Sequence, residues 1–219
     1  LMWPKAPQIL AKAAFEHNLP FILSTVTTSS IEEIGKITEG NAWFQLYYPV
    51  KEEVRKDIID RAAAVGCPVL VLLSDVPSFG FRPRDIRNGL AMPPKMSARN
   101  FYQILKRPEW ALKTLIHGQP EFETLKPYMP KGLNLSQLGK FMDATFDGRL
   151  NEEKIKPIRE QWKGKIVLKG VASEADMEKA IRLGIDGVII SNHGGRQLDA
   201  GQSTIQVLEK LNANYREKI

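Results

Sequence analysis

The sequence predicts an α/β fold on a parallel sheet, and within that class a (β/α)8 TIM barrel of which about strands two to six are visible with their helices. Three observations predict it. Short apolar runs recur, each ending abruptly in polar side chains: Phe21-Ile22-Leu23 before Ser24, Val69 to Leu73 before Ser74-Asp75, Ile166-Val167-Leu168 before Lys169, and Gly187 to Ile190 before Ser191-Asn192-His193. Amphipathic helices alternate with them, and strands this apolar need helices over both faces, which is the mark of a parallel sheet. The strand ends also recur at a near-constant interval: positions 24 to 47, 47 to 75 and 169 to 193 lie 23, 28 and 24 residues apart. In a barrel those ends share one face, where side chains from several strands converge.

Each element has a local reason. Pro4 to about His17 reads as a helix, with Pro where a missing N–H costs least and Ile9, Leu10, Ala13, Ala14 and Phe15 on one side. Asn18 and Pro20 close it, and the first strand follows. Ser29 or Ser30, with Glu32 or Glu33 three residues on, forms a capping box for the next helix. Ala42 to Tyr47 is the second strand, with Gln45 and Tyr47 on one face because side chains alternate along a strand. Lys51 to Ala64 is a charged helix stopped by Gly66, and Val69 to Leu73 is the third strand. After the fourth strand Ser173 and Asp176 open a helix that runs to Gly184; the fifth strand is followed by a helix from about Ser203 through Leu211.

One interval breaks the rhythm, because Asp75 and Lys169 are 94 residues apart. The Pro-rich segment 76–150 is expected to be a lid or loop inserted in a single domain, 1–219, with one helix after it at Asn151 to Trp162. A full barrel has eight strands and usually grips phosphate with the loops after strands seven and eight. The chain starts on Leu1 and shows five strands, so the expectation is a piece of a longer protein, inactive by itself.

Composition excludes more than it selects. With 43% hydrophobic and 26% charged residues the chain is an ordinary globular one, and no apolar run reaches the roughly 18 residues of a membrane span. A cytoplasmic location is expected. A single cysteine, Cys67, rules out an intramolecular disulfide and a multi-cysteine zinc site, and its place before an apolar run marks a buried thiol without chemistry. The net charge of +6 is spread among acids rather than gathered in a run, so no nucleic-acid partner is expected. His17 and His117 read as structural.

The chemistry is concentrated after the fifth strand. A His at a strand's end, two glycines that keep bulk away, and then Arg196 set a proton acceptor and a carboxylate clamp around one small volume. That suits an anionic substrate that loses a proton. The structural alternative is a strand-to-helix turn in which His193 caps the backbone and Arg196 is solvated.

Ser191-Asn-His-Gly-Gly-Arg-Gln-Leu-Asp199, Lys169-Gly-Val171, Phe44-Gln-Leu-Tyr47 and Asp75-Val-Pro-Ser-Phe-Gly-Phe-Arg-Pro-Arg-Asp85 together resemble the FMN-dependent 2-hydroxy acid dehydrogenase and oxidase family, whose members include L-lactate and mandelate dehydrogenases, lactate and glycolate oxidases and flavocytochrome b2. Met2-Trp-Pro4, Leu23 to Glu33 and Arg99 to Leu112 look most like the bacterial L-lactate dehydrogenase branch. The resemblance covers the whole chain and implies a (β/α)8 barrel. It implies FMN as cofactor and oxidation of an L-2-hydroxy acid, with L-lactate to pyruvate leading, by hydride transfer to flavin N5. His193 would take the hydroxyl proton and Asp75 would hold its other nitrogen. Arg196 and Arg82 would bind the substrate carboxylate, and Tyr47 the reacting oxygen. Lys169 would sit near flavin N1, with Ser24, Gln45 and Ser191 also toward the cofactor. Leu73 stands where the family usually has a flavin-contacting Thr, and Val26 where glycolate oxidase has a Trp.

Each residue has a structural reading beside this one: Tyr47 a barrel-mouth aromatic, Gln45 a core amide, Lys169 a snorkelling surface cation, Asp75 a helix cap. Three readings of function compete. The first is L-lactate oxidation. The second is a glycolate or other 2-hydroxy acid oxidase, or a mandelate-type dehydrogenase. The third, from another class, is a non-catalytic relic acting as a binding module. The electron acceptor, whether quinone, cytochrome or oxygen, is not encoded in the motifs. The resemblance implies a homo-oligomer, usually a tetramer. A peripheral contact of the basic stretch Arg82 to Arg107 with the inner face of a membrane is a further expectation, although no amphipathic helix is legible there.

Overall fold

The computed structural model describes residues 3–77, 83–89, 97–118, 120–133, 135–197 and 200–219. Five strands, β1 (Ile22–Ser24), β2 (Trp43–Leu46), β3 (Val69–Leu73), β4 (Lys165–Val171) and β5 (Gly187–Ile190), pair in parallel in the order β1-β2-β3-β4-β5. Order in space equal to order in the chain means that every crossover steps in one direction. A doubly wound sheet would reverse at a switch point, so the winding is that of a barrel.

Helix α1 (Ala6–Glu16) precedes β1, α2 (Ile31–Ile37) joins β1 to β2, and α3 (Glu52–Ala64) joins β2 to β3. The segment after β3 holds α4 (Pro83–Arg87), α5 (Ala98–Leu105), α6 (Pro108–His117), a 3-10 turn (Lys126–Tyr128) and α7 (Leu135–Thr145). The inserted segment thus carries helices of its own that the sequence reading did not place. Then come α8 (Glu152–Gln161), α9 (Glu174–Arg182) and α10 (Thr204–Tyr215).

The core lies between the sheet and the helices. Leu23, Phe44, Leu46, Leu70, Leu72, Ile166 and Leu168 are buried on one face, against Ile34, Ile58, Ile59, Ile158, Met177, Val207 and Leu211 of the helices. Register neighbours Ser24 and Gln45, Val71 and Val167, and Leu73 and Lys169 share the other face. Burial on both faces was expected for every strand, but only β3 is buried throughout; Ser24, Gln45, Val167, Lys169 and all of β5 are half-exposed. On that inner face Ser24, Gln45 and Lys169 are polar and half-exposed, whereas Val71 and Leu73 are buried.

Local hydrogen bonds set the helix starts. Ser30 Oγ accepts from Glu33 N–H at 3.1 Å, and Ser173 Oγ does the same for Asp176 at 3.1 Å. The first box is only half closed, because the Glu33 carboxylate accepts from Gln8 Nε2 and so ties α1 to α2. Arg61 fixes the inserted segment: it grips Glu32 with Nε at 2.7 Å and Nη2 at 3.2 Å, while Nη1 donates to Thr124 O at 3.0 Å and Tyr128 Oη at 3.1 Å. Farther along, Val50 N–H donates to Thr145 O and Asp147 N–H to Tyr48 O, which seats Phe146 beside the end of β2.

Candidate active site

Four of the expected residues meet at the C-terminal ends of β3, β4 and β5. Asp75 follows β3, Lys169 lies within β4, and Ser191 and His193 follow β5. The Asp75 side chain is only 5% exposed, so its charge needs partners. It has three: Lys169 Nζ donates to Oδ2 at 2.7 Å, Ser191 Oγ donates to Oδ2 at 2.5 Å, and His193 Nδ1 lies 3.2 Å from Oδ1. Burial alone would raise the carboxyl's pKa, but the hydrogen bonds from Lys169 and Ser191 and the charges of Lys169 and His193 outweigh it and hold Asp75 below the usual carboxylate range. Asp75 is an anion, and an anion can only accept. Nδ1 also lies 3.5 Å from the Lys169 ammonium, but its nearer partner is the carboxylate, so the proton of a neutral His193 sits on Nδ1, leaving the lone pair on Nε2. That tautomer is the one a base requires.

Gly170 permits this gathering. It has φ +110° and interrupts the β4–β5 register, and a Cβ there would lie 2.7 Å from Asp75 Cβ, Asp75 N and Ser74 Oγ. Only a residue without a side chain lets the end of β3 come this close to β4. The strand runs through it to Val171, past the Lys169-Gly170 ending that the sequence suggested.

Ser24 and Gln45 are register partners at the ends of β1 and β2. Between these strand ends sits Thr25, a fully buried residue that sequence reasoning missed: its Oγ1 donates to Gln45 O at 2.7 Å and accepts from Tyr47 N–H at 3.1 Å. Its only signal is a hydroxyl next to a strand end. The Tyr47 ring packs edge-on against Phe146, with centroids 5.8 Å apart. A cavity of about 660 Å³ opens beside them, walled by Tyr47, Leu73, Val76, Pro77, Phe146 and Arg149. Asp75, Lys169 and His193 do not line it, so it adjoins the charged cluster without containing it.

Arg196 lies three residues past His193 in the turn, exposed and without an ion pair among the described residues. Arg82 lies outside the described residues. Cys67 is buried and free, and burial pushes its thiol up to about 11. His17 caps the end of α1 with its backbone, and His117 Nδ1 meets the Lys113 carbonyl at 2.8 Å. No group of three or more His, Cys, Asp or Glu side chains among the described residues could hold a metal ion.

The profile of the FMN-dependent dehydrogenase family matches residues 1–219. The chain belongs to this family. Among its relatives, (S)-mandelate dehydrogenase of Pseudomonas putida is 36% identical over 209 residues, covering 94% of this chain and 52% of that protein. L-Lactate dehydrogenase of Vibrio parahaemolyticus serotype O3:K6 is also 36% identical, over 202 residues, covering 92% of this chain and 53% of that protein. The chain thus spans about half the length of the curated relatives it matches. A solved structure of the monotopic membrane protein (S)-mandelate dehydrogenase superposes with a TM-score of 0.87 at 35% identity, over 97% of this chain and 56% of that one. A mandelate oxidase structure superposes with a TM-score of 0.72 at 29% identity, over 97% of this chain and 51% of that one. The parallel sheet is accordingly part of a (β/α)8 barrel, and the family is FMN-dependent. The donors on the accessible inner face, the Ser24 hydroxyl, the Gln45 amide and the Lys169 ammonium, are of the kind that suits the carbonyl-bearing edge of a flavin.

Proposed function

We propose that the protein carrying this chain oxidises a 2-hydroxy acid to the 2-oxo acid, with His193 as the base. The observation that carries the reading is the 3.2 Å contact between His193 Nδ1 and an Asp75 carboxylate kept ionised by Lys169 and Ser191. Nε2 takes the proton of the substrate's 2-hydroxyl as the C–H bond at C2 breaks, and Asp75 stabilises the imidazolium that results. Bound FMN supplies the two-electron acceptor for the hydride. Lys169, Ser24 and Gln45 would hold it, and the Lys169 ammonium would stabilise the negative charge that reduction places on it. Arg196 and Arg82 bind the carboxylate, and Tyr47 orients the reacting oxygen.

L-Lactate is the leading substrate. The cavity beside Tyr47, walled by Leu73, Val76, Pro77 and Phe146 as well as by Asp143, Asp147 and Arg149, adjoins the cluster and has room for more than a methyl group, which favours a second reading, an aryl-substituted acid such as mandelate. Anaerobic mixing of the flavin-loaded whole protein with L-lactate and with (S)-mandelate separates them by the rate of flavin bleaching. A flavin that no 2-hydroxy acid reduces would rule out both.

We further infer a peripheral contact with an anionic lipid surface. In support, α5 exposes Phe101, Tyr102 and Leu105, and α6 exposes Leu112, Leu115 and Ile116 at helical spacing. The same stretch of chain carries Arg84, Arg87, Arg99, Lys106, Arg107 and Lys113 against two acids, Asp85 and Glu109. No helix among the described residues is long and apolar enough to cross a membrane. Co-sedimentation with phosphatidylglycerol vesicles but not phosphatidylcholine vesicles, lost in Leu115→Glu with Ile116→Glu, is the expected result; no sedimentation with either lipid would refute it.

A further inference from the structure

His193 adopts φ +54°, in the left-handed region that a side-chain-bearing residue enters at a cost. Such a conformation persists only where the surroundings over-determine it. The turn supplies part of the restraint, through Arg196 N–H to His193 O at 3.3 Å and Gly194 N–H to Asn192 Oδ1 at 3.1 Å. Neither bond reaches the imidazole.

Ser191 does reach it, through Asp75. Its Oγ accepts from His193 N–H at 3.1 Å and donates to Asp75 Oδ2 at 2.5 Å, while Asp75 Oδ1 meets His193 Nδ1 at 3.2 Å. A hydroxyl has one proton to give. That proton is directed at Asp75, so the Ser191 side chain is engaged by the carboxylate and by the backbone of the base. Backbone N–H, hydroxyl, carboxylate and imidazole form a closed circuit that passes through His193 twice.

We propose that Ser191 is a positioning residue for His193, locking both its left-handed backbone and its ring against Asp75, rather than a ligand of the cofactor. The proposal rests on the reading of His193 as the base. Without the hydroxyl, the His193 backbone relaxes, its Cα–Cβ bond swings, and Nδ1 leaves Asp75. The two ring tautomers then compete, and Nε2 no longer carries the lone pair all the time.

The test uses the flavin-loaded whole protein with Ser191→Ala and Ser191→Thr. Ring ¹⁵N spectra, with the His193 signals assigned by their loss in His193→Gln, report the tautomer; rapid mixing with a 2-hydroxy acid reports flavin reduction. In Ser191→Ala the tautomers mix and the reduction rate falls about 30-fold, part of the 100-fold or more that a positioned base contributes. KM and FMN affinity stay within about threefold, because neither substrate nor cofactor contact is removed. Ser191→Thr keeps the hydroxyl and restores tautomer and rate. An Ala variant with an unmixed tautomer and unchanged rate overturns the proposal, and so does loss of FMN affinity with the tautomer intact. Should Ser191→Ala not fold, Ser191→Cys replaces it, since a thiol is a weak donor: mixed tautomers support the proposal and wild-type spectra overturn it. If no 2-hydroxy acid reduces the flavin, the function falls, while the spectra still decide the role of Ser191.

Discussion

Replacing Gly170 by Ala strikes at the packing that assembles the charged cluster. The added Cβ would stand 2.7 Å from Asp75 Cβ and the Asp75 backbone N, and neither is the far end of a flexible side chain that can turn away. Overpacking of that kind costs about 1–3 kcal/mol. The backbone adds to it, because φ +110° is a glycine conformation and holding another residue in so sparse a region costs about 1–3 kcal/mol. The stiffer unfolded chain returns about 0.4–1 kcal/mol. The net loss is about 1–6 kcal/mol, with the midpoint near 3. Relief comes by moving the end of β3 away from β4, which opens the 2.7 Å Lys169–Asp75 and 3.2 Å His193–Asp75 contacts together. Urea unfolding of the whole protein reads the stability, and anaerobic flavin reduction reads the cluster. Stability within about 0.5 kcal/mol of wild type, with unchanged reduction, would refute the packing argument.

Three further outcomes are expected. The hydrogen bonds from Arg61 hold the Glu32 carboxyl down at about 2 against the opposing effect of burial. A depressed carboxyl contributes stability above its ordinary value of 4.5 and loses it as pH falls toward 2; because the Glu32 side chain is 44% exposed, the contribution is discounted to about 1 kcal/mol, and Glu32→Gln should remove about that much of the fall in unfolding free energy between pH 5 and 2, read by urea unfolding. Thr25→Val leaves Tyr47 N–H without its 3.1 Å acceptor in a fully buried position, which should cost about 1–3 kcal/mol in urea unfolding and slow flavin reduction by shifting Tyr47. Cys67, with its thiol raised to about 11 by burial, should resist an aromatic disulfide reagent at pH 8 until urea unfolds the protein; fast labelling of the native state would contradict the buried placement.

Much of the fold was legible because its strands announce themselves by where apolar demand stops. Ser24, Asp75, Lys169 and His193 each mark such a stop, and the structure has them on one side of one sheet. The join of Asp75 to His193 came from the family resemblance, not from the strand spacing, and the 3.2 Å contact is in keeping with it. The bond from Lys169 to Asp75 came from neither: a long cation can reach several places, and which one depends on the β3–β4 approach that Gly170 allows. The helices of the insert were missed for a different reason. Reading helices from periodicity assumes that the apolar stripe turns inward. In α6 Leu112, Leu115 and Ile116 have helical spacing yet face outward, in a stretch otherwise punctuated by proline.

The most direct test of the account is the rate of flavin reduction by a saturating 2-hydroxy acid in His193→Ala, measured anaerobically with FMN affinity determined alongside. The Asp75-held imidazole predicts a fall of at least about 100-fold with FMN binding unchanged, since the base is removed and the cofactor's own contacts are not. Reduction at the wild-type rate in His193→Ala would contradict the account, because the proton would then leave by a path that does not pass through His193.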